Sequence, residues 1–344
     1  MSADNLKVNI KALSREERRR KFNEMGLPAY RETQLFSRIC KGALGFDECR
    51  EFSLKLREDL KERFSWEGAR VELVQKSSDG TMKFLLEMPG GDKCEAVLMR
   101  YSYGNTLCIS TQVGCRMGCS FCASTLGGLK RQLAGWEMLD ELIACGRHSG
   151  LEISRVVLLG SGEPFDNYDE LCEFLSLVHD PEGLNLSYRN ITVSTCGLIP
   201  QMERFAEDFP QVNLAVSLHA ASQEEREAIM PIAKVYPLSD LLKACRLHAE
   251  RTGRRVSYEF ALIEGKNDDE GTAKRLAALL KGSLCHVNLI PLNPVEETGL
   301  SGSGQRTASR FMRILEAEGI AVTLRRSLGR DIDAACGQLR NKHI

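Results

Sequence analysis

Apolar and polar positions change their spacing along the chain, and these changes divide its 344 residues into three parts. Residues 1–66 follow a helical spacing, and Ser14–Glu17 carries the Ser-x-x-Glu signature of a helix start. Residues 67–105 contain short β-like runs separated by two turn sequences, Ser77–Gly80 and Pro89–Asp92. We therefore predict a small N-terminal helical domain followed by a short antiparallel β extension.

From residue 106 onward, strand-like and helix-like stretches alternate. The candidate strands are Leu107–Thr111, Arg155–Leu159, Asn190–Thr195, Asn213–Leu218, Val256–Ile263 and His286–Ile290, with Ala321–Arg325 as an additional strand. The candidate helices are Trp136–His148, Asp169–Val178, Ile199–Asp208, Ser239–Arg251, Glu270–Leu280 and Thr307–Glu318. Repeated β–α units of this kind predict a parallel sheet with helices outside it.

The number of β–α units limits the architecture of this third part, residues 106–344. Six units are fewer than a closed TIM barrel contains, so we predict an α/β fold with an open (β/α)₆ partial TIM barrel. In complete barrels, the loops at the carboxyl ends of the strands carry the chemistry. We expect the functional residues of this chain to lie directly after its candidate strands.

The composition is that of an ordinary soluble globular protein, with 43% hydrophobic and 27% charged residues. A membrane span needs about 20 apolar residues, and no apolar stretch of the sequence comes near this length, so we expect no membrane partner. The first residues lack the apolar core of a signal peptide. The 13 cysteines then predict a reducing, cytoplasmic location, where thiols are more often ligands or nucleophiles than disulfides.

The net charge of −1 does not indicate a nucleic-acid-binding protein, so any RNA surface must be a local patch. The N-terminal part is locally rich in cations, namely Arg18, Arg19, Arg20, Lys21, Arg31, Arg38, Lys41, Lys55 and Lys61. Acidic residues are interleaved with them, so this region is either a solvated helix face or a phosphate-binding face.

The strongest motif is Cys-x₃-Cys-x₂-Cys, formed by Cys115, Cys119 and Cys122 directly after an apolar run. This spacing lets one loop direct several sulfurs toward one centre, as an iron–sulfur cluster requires. Three protein ligands leave one iron of a [4Fe–4S] cluster open. A structural zinc would need a fourth ligand, and the nearest histidine is His148. A zinc site completed by a distant residue and three unrelated buried thiols are the alternatives.

Several candidate strands end in polar or glycine-containing sequences. These are Gly160–Pro164, Thr192–Gly197, Ser217–Ala220 and Asn288–Pro294. Each alone is weak evidence, because a glycine, a hydroxyl or an amide after a strand is usually a turn residue. Four such ends in phase around one sheet predict a single cavity lined by hydrogen-bonding groups, suited to a polar nucleoside ligand.

The cysteine motif, with the aromatic Phe121 before its third cysteine, resembles that of radical S-adenosylmethionine (SAM) enzymes. The resemblance implies that SAM binds the open iron through its amino and carboxylate groups. It also implies that an electron from the cluster cleaves SAM to a 5′-deoxyadenosyl radical. The positions that match SAM contacts are Gly162, Glu163, Ser194, Ser217, Leu218, His219 and Asn293.

A second cysteine motif near the chain end narrows the resemblance. Cys336, within Ala334–Leu339, and Cys108, before the cluster motif, are arranged as in the 23S ribosomal RNA adenine-C2 methyltransferases. This likeness covers nearly the whole chain. It implies methylation of adenosine C2 in the peptidyl-transferase region of 23S rRNA, and commonly also of the adenosine next to the tRNA anticodon.

The family mechanism assigns a role to each of these residues. Adenine C2 lies between two ring nitrogens and is electrophilic, so it cannot attack a methyl sulfonium and a radical route is required. The resemblance implies that Cys336 takes a methyl group from a first SAM, and that a second SAM supplies the radical. Cys108 then releases the RNA by forming a disulfide with Cys336, and Glu95 accepts the C2 proton. From its position alone, Glu95 would be a surface carboxylate at a strand edge.

The same resemblance implies two partners besides RNA, an electron donor for the cluster and a reductant for the disulfide. We expect the chain to act as a monomer. Two alternatives stay open. One is the sister family that methylates adenine C8 and confers antibiotic resistance, although Cys122–Gly128 is more similar to the C2 family. The other is a zinc-stapled RNA-binding module without catalysis, which would be colourless rather than brown.

Overall fold

A computed structural model describes residues 7–293, 299–325, 328–329 and 332. Its helices are α1 (Arg15–Glu24), α2 (Tyr30–Cys40), α3 (Leu54–Arg63), α4 (Gly135–Ser149), α5 (Tyr168–His179), α6 (Ile199–Asp208), α7 (Gln223–Ile229), α8 (Leu238–Thr252), α9 (Glu270–Leu280) and α10 (Gln305–Ala317). None of these helices is long and apolar enough to cross a membrane.

The strands include one large sheet and two short pairs. They are β1 (Val8–Asn9), β2 (Phe64–Ser65), β3 (Arg70–Lys76), β4 (Met82–Glu87), β5 (Lys93–Tyr101), β6 (Gly104–Ile109), β7 (Gln112–Gly114), β8 (Leu129–Gln132), β9 (Arg155–Leu158), β10 (Ile191–Thr195), β11 (Asn213–Ser217), β12 (Val256–Leu262), β13 (Cys285–Pro291) and β14 (Val322–Leu324).

The large sheet has ten strands in the order β14-β13-β12-β11-β10-β9-β6-β5-β4-β3. Strands β6 and β9–β14 pair in parallel, whereas β3–β6 pair antiparallel. The order does not close on itself, which confirms the predicted α/β class with an open parallel array. The strands predicted as a β extension continue the same sheet through β6.

Strand β12, in the parallel part of the sheet, is buried on both of its faces. All residues of β12 except Ser257 are buried, and most of them are apolar, as expected for a parallel strand between two layers. Side chains from the strands and from α4–α6 and α8–α10 form one large apolar core. This core fixes the carboxyl ends of the parallel strands at one edge, where the candidate site lies.

The N-terminal helices have an apolar core of their own, centred on Ile10, Phe22, Leu35 and Leu60. The predicted capping signature is confirmed, because the Ser14 side chain accepts from the Glu17 amide and the Glu17 carboxylate accepts from the Ser14 amide. A buried ion pair between Lys11 and Asp140, 2.9 Å long, connects these helices to α4.

Candidate active site

One cavity at the carboxyl ends of the parallel strands brings together most of the predicted site residues. Its lining includes Cys115, Cys119, Cys122, Gly162, Glu163, Ser194, Ser217 and His219. Leu218 is not part of this lining, since its side chain is buried in the main core. Asn293 is buried directly after β13, at the same edge of the sheet.

The loop that carries the three thiols is fixed at both of its ends. Cys115 directly follows β7, the thiol loop connects β7 to its partner strand β8, and the Cys115 amide donates to the Gly128 carbonyl just before β8 at 3.1 Å. Farther along the loop, the Ser120 amide donates to the Ile229 carbonyl at the end of α7, at 2.9 Å. The loop is therefore held between the hairpin and α7, with its thiols on the cavity.

The thiols lie in surroundings that oppose ionisation. Burial raises the pKa of Cys115 to about 12, and the nearby Cys122 thiol acts in the same direction. Burial raises the pKa of Cys119 as well, and the neighbouring thiols of Cys122 and Cys115 act in the same direction. A thiol must lose its proton to bind metal, so metal binding here has to replace protons.

The donor set fits an iron–sulfur cluster. Within the described residues, no three His, Cys, Asp or Glu side chains converge as ligands of a single ion would. A cube of four irons holds its thiolates farther apart than one ion does, so a shared cavity is the relevant criterion for a cluster. The three cysteines meet this criterion, since one loop presents all of them to the same cavity.

The glycine-rich turn after β9 packs directly against the strand that precedes the thiol loop. Gly162 has φ +107°, and a Cβ there would lie 2.7 Å from the Thr111 hydroxyl oxygen. The next amide, of Glu163, donates to Oε1 of Gln112 at 2.8 Å. The segment is thus a tight turn and also part of the cavity wall.

The Glu163 carboxylate connects two strand ends. It accepts hydrogen bonds from the Phe165 amide at 3.0 Å and from the Cys196 amide, after β10, at 2.7 Å. Burial raises the pKa of Glu163, and these two hydrogen bonds oppose that effect. The carboxylate therefore holds the turns after β9 and β10 in register around the cavity.

His219 is a buried, neutral imidazole in the cavity wall. Burial, assisted by the charge of Arg226, lowers its pKa to about 3. Its Nδ1 accepts from the Ala261 amide at 2.9 Å, so the proton of the neutral ring lies on Nε2. His219 also has φ +57°, an uncommon backbone conformation for a residue with a side chain.

Three polar residues that we did not predict support the site. Gln112 is fully buried and donates to both Gln132 and Asp166, at 2.7 and 2.9 Å. Asn167 donates to the carbonyls of Thr111 and Leu133, at 3.0 and 2.7 Å. Gln112 stands beside the cysteine motif, and Asp166 and Asn167 directly follow Glu163-Pro164-Phe165, but their type alone does not distinguish them from turn residues.

Glu95 and Cys108 lie on one face of the sheet, opposite the main core. Val97 pairs with Cys108 across β5 and β6, and side chains two residues apart on a strand share a face. Glu95 is 7% exposed, and its Oε1 lies 2.7 Å from the Lys83 ammonium. The interpretation of Glu95 as a surface carboxylate is therefore wrong, because β5 is an interior strand.

The C-terminal segment covers this same face. Leu328 and Ile332 pack against a small cluster formed by Val97, Met99 and Cys108. The Gly329 amide donates to the Asp79 carboxylate, in the turn between β3 and β4, at 2.9 Å. Cys336 itself lies outside the described residues.

Comparisons with known proteins agree with this geometry. Residues 109–276 match the Radical SAM superfamily. The chain is 47% identical to a probable dual-specificity RNA methyltransferase RlmN of Lachnoclostridium phytofermentans, over 98% of this chain and 95% of that protein. A protein of the same name from Clostridium perfringens is 46% identical, over 98% and 97% of the two chains.

A solved structure is similar over almost the whole length. The crystal structure of a radical SAM methyltransferase from Sphaerobacter thermophilus has a TM-score of 0.92 and 41% sequence identity, covering 97% of this chain and 99% of that one. Membership selects an enzyme over a zinc-stapled binding module, and it implies a [4Fe–4S] cluster, SAM and an RNA substrate. The chain belongs to the RlmN family of radical SAM RNA methyltransferases.

Proposed function

We propose that this enzyme methylates C2 of an adenosine in the peptidyl-transferase region of 23S rRNA and of the adenosine next to the tRNA anticodon. The proposal uses Cys336 as methyl carrier, Cys108 as resolving thiol and Glu95 as proton acceptor, with two SAM molecules consumed per turnover. The observation that carries it is that Glu95 and Cys108 share one sheet face, which the segment leading to Cys336 covers.

The length of the chain supports a meeting of the two thiols. Ile332 packs on the cluster that contains Cys108, and Cys336 is the fourth residue after Ile332. Four residues span at most roughly 14 Å, so the Cys336 sulfur is restricted to the neighbourhood of this face. A thiol that must form a disulfide with Cys108 requires this proximity.

The roles of the residues follow from their chemistry. Cys115, Cys119 and Cys122 are proposed to hold the cluster, which would supply the electron that makes SAM a radical source. Gly162, Glu163, Ser194, Ser217, Leu218, His219 and Asn293 are proposed to hold SAM, and the neutral His219 ring offers an N–H donor for it. The Cys336 thiolate would accept a methyl group from SAM. After carbon transfer, the Cys108 thiolate would attack the Cys336 sulfur, so that an S–S bond forms while the bond from sulfur to the transferred carbon breaks and this carbon takes up a proton, which releases the RNA.

Exposed cations of the N-terminal helices are proposed to bind the RNA backbone. Arg19, Arg20, Lys41 and Lys55 are exposed, whereas Arg18 is buried and pairs with Glu32 at 3.1 Å. The target base must leave its stack to reach a cavity at the end of the sheet. The cytoplasm would provide this RNA together with the electron donor and the disulfide reductant, and the monomeric state stays a prediction.

A direct test is nucleoside analysis. The reconstituted enzyme is incubated with SAM, dithionite and unmodified 23S rRNA or tRNA transcripts, and the digested RNA is examined by mass spectrometry. We expect 2-methyladenosine in both RNAs. Formation of 8-methyladenosine would assign the enzyme to the sister family that methylates adenine C8. The absence of any methylated adenosine would contradict the proposal.

Glu95→Gln is expected to slow release of methylated RNA by about 10²-fold or more, the usual contribution of a general base. The substitution keeps the size of the side chain but removes the carboxylate that accepts the C2 proton. Single-turnover assays should show the RNA retained as a covalent adduct. Glu87→Gln, at the half-buried end of β4 in the same hairpin, is the control and should turn over normally. Normal product release by Glu95→Gln would remove Glu95 from the mechanism.

Gly114→Ala is expected to abolish most iron binding. Gly114 has φ +79°, and a Cβ there would overlap the Gly128 carbonyl oxygen that the Cys115 amide bonds. Iron and sulfide per chain after anaerobic reconstitution measure the effect. Gly150→Ala is the matched control, because Gly150 has a similar φ of +67° and open space around it. Equal iron content in both variants would show that the hairpin does not position the thiols.

A further inference from the structure

Arg226, on α7, is a completely buried cation directly behind the cavity wall. Its Nη2 donates to the Cys196 carbonyl at 2.7 Å and to the Ser217 carbonyl at 3.2 Å. These carbonyls lie at the ends of β10 and β11. The guanidinium is therefore fixed between the two strand ends that contribute Ser194 and Ser217 to the cavity.

No acidic side chain among the described residues neutralises this charge. Nε and Nη1 of Arg226 are buried and find no hydrogen-bond partner within the part of the chain that the structure describes. Arg18 shows the usual arrangement, because this other buried arginine pairs with the Glu32 carboxylate at 3.1 Å. A buried charge without a countercharge is strongly unfavourable, so the environment of Arg226 calls for an anion.

The ionisable groups near Arg226 that could carry a negative charge are thiols. Burial lowers the pKa of the guanidinium, and the thiols of Cys196, Cys119 and Cys245 act in the opposite direction. Cys119 belongs to the cluster motif. The backbone also connects the two, since Ile229, at the end of α7, accepts from the Ser120 amide beside Cys119. Met230, one helical turn after Arg226, lines the cavity together with Cys119.

We propose that Arg226 is the buried countercharge of the iron–sulfur cluster and raises its reduction potential. A doubly positive cube bound by three thiolates carries one net negative charge, and one added electron increases that charge. A fixed cation in a poorly polarisable interior stabilises the more negative, reduced form. The inference rests on the cluster that the family implies and on no part of the proposed RNA chemistry.

The test is a reductive titration of the reconstituted holoprotein without RNA. The cluster is titrated anaerobically with dithionite as the electron source, and the reduced form is measured by electron paramagnetic resonance. Arg226→Gln should lower the equilibrium constant for one-electron reduction at least tenfold, a shift of about 59 mV to more negative potential. Arg226→Lys keeps the charge and should shift the potential by less than half as much.

The matched control is Arg254→Gln. Arg254 is partly buried and donates to Asn213, but it precedes β12 at the opposite edge of the sheet. Its loss should leave the potential unchanged. Circular dichroism of the metal-free proteins is measured first, because the proposal expects Arg226→Gln to fold at least as well as the unmodified chain without the cluster.

Three results would overturn the inference. One is an unchanged potential in Arg226→Gln, and another is an equal shift in the Gln and Lys variants. The third is a metal-free Arg226→Gln protein that does not fold, since this would show that the charge serves the fold rather than the cluster. A holoprotein that shows the expected shifts but methylates no RNA would contradict the proposed function and leave this inference intact.

Discussion

Replacing Cys336 with alanine is expected to abolish methylation of RNA completely, without loss of iron. The thiolate is the proposed acceptor of the methyl group that later becomes the transferred carbon, and alanine offers no nucleophile. The proposed cluster ligands are Cys115, Cys119 and Cys122, so the brown colour and iron content should persist. Mass spectrometry of the protein after incubation with SAM should find S-methylcysteine at 336 in the unmodified chain and nowhere in the variant.

Cys285→Ala provides the control for this substitution. Cys285 begins β13, at the edge of the sheet away from the cavity, and is half-buried. Its removal should change neither methylation nor iron content. Undiminished 2-methyladenosine from Cys336→Ala would refute the methyl-carrier role, whatever the behaviour of the control.

The Cys108→Ala variant is expected to stop after carbon transfer and to retain the RNA covalently. Without the proposed resolving thiol, no Cys108 thiolate attacks the Cys336 sulfur to break its bond to the carbon on the base. Denaturing electrophoresis should show protein and RNA migrating together in near-stoichiometric yield. Digestion should then yield a Cys336 peptide carrying an adenine adduct.

Cys94→Ala separates this effect from the loss of any thiol on the same sheet. Cys94 precedes Glu95 on β5, so its side chain points to the opposite face and is buried in the main core. This variant should release methylated RNA normally. If Cys108→Ala released free methylated RNA as well, Cys108 would not be the resolving thiol.

Long periodic elements were predictable from the sequence almost to the residue. Helices α6 and α9 begin and end where their spacing predicts, at Ile199–Asp208 and Glu270–Leu280. Both fill several turns with one apolar face, and Asp269 caps the second by accepting from the Thr272 amide. Regular spacing and a cap are local signals that need no knowledge of the rest of the chain.

Short elements were missed because they carry no periodic signal. Helix α7 has seven residues, and strand β7 has three. Both depend on contacts with distant segments, such as the Ser120 amide on the Ile229 carbonyl. These two elements hold the thiol loop, and α7 also contains Arg226. The elements that support the site were therefore harder to predict from the sequence than the cysteine motif itself.

The positions of the strands in the sequence indicate which residues can meet at the cavity, but not every side chain that is buried. Residues at or just after the carboxyl ends of parallel strands, such as Ser194 and His219, meet at one cavity because these ends share an edge of the sheet. The burial of Glu95 could not be predicted, because it depends on β5 having neighbours on both sides. Leu218 stands between two cavity residues, yet its side chain enters the core.

The contact between Asp79 and Gly329 joins residues 250 positions apart in the chain. Burial raises the pKa of Asp79, but hydrogen bonds from Gly329, Thr81 and Ser77 outweigh it and lower that pKa to about 2. The stabilisation from this carboxylate is complete above its unfolded pKa and is lost as the pH falls through about 2, so neutral solutions leave the contact intact.

During synthesis, the ribosome completes the thiol loop and the face around Cys108 well before it adds the Cys336 sulfur. A nascent or truncated chain would therefore be able to assemble its metal centre while lacking the group that carries carbon to RNA.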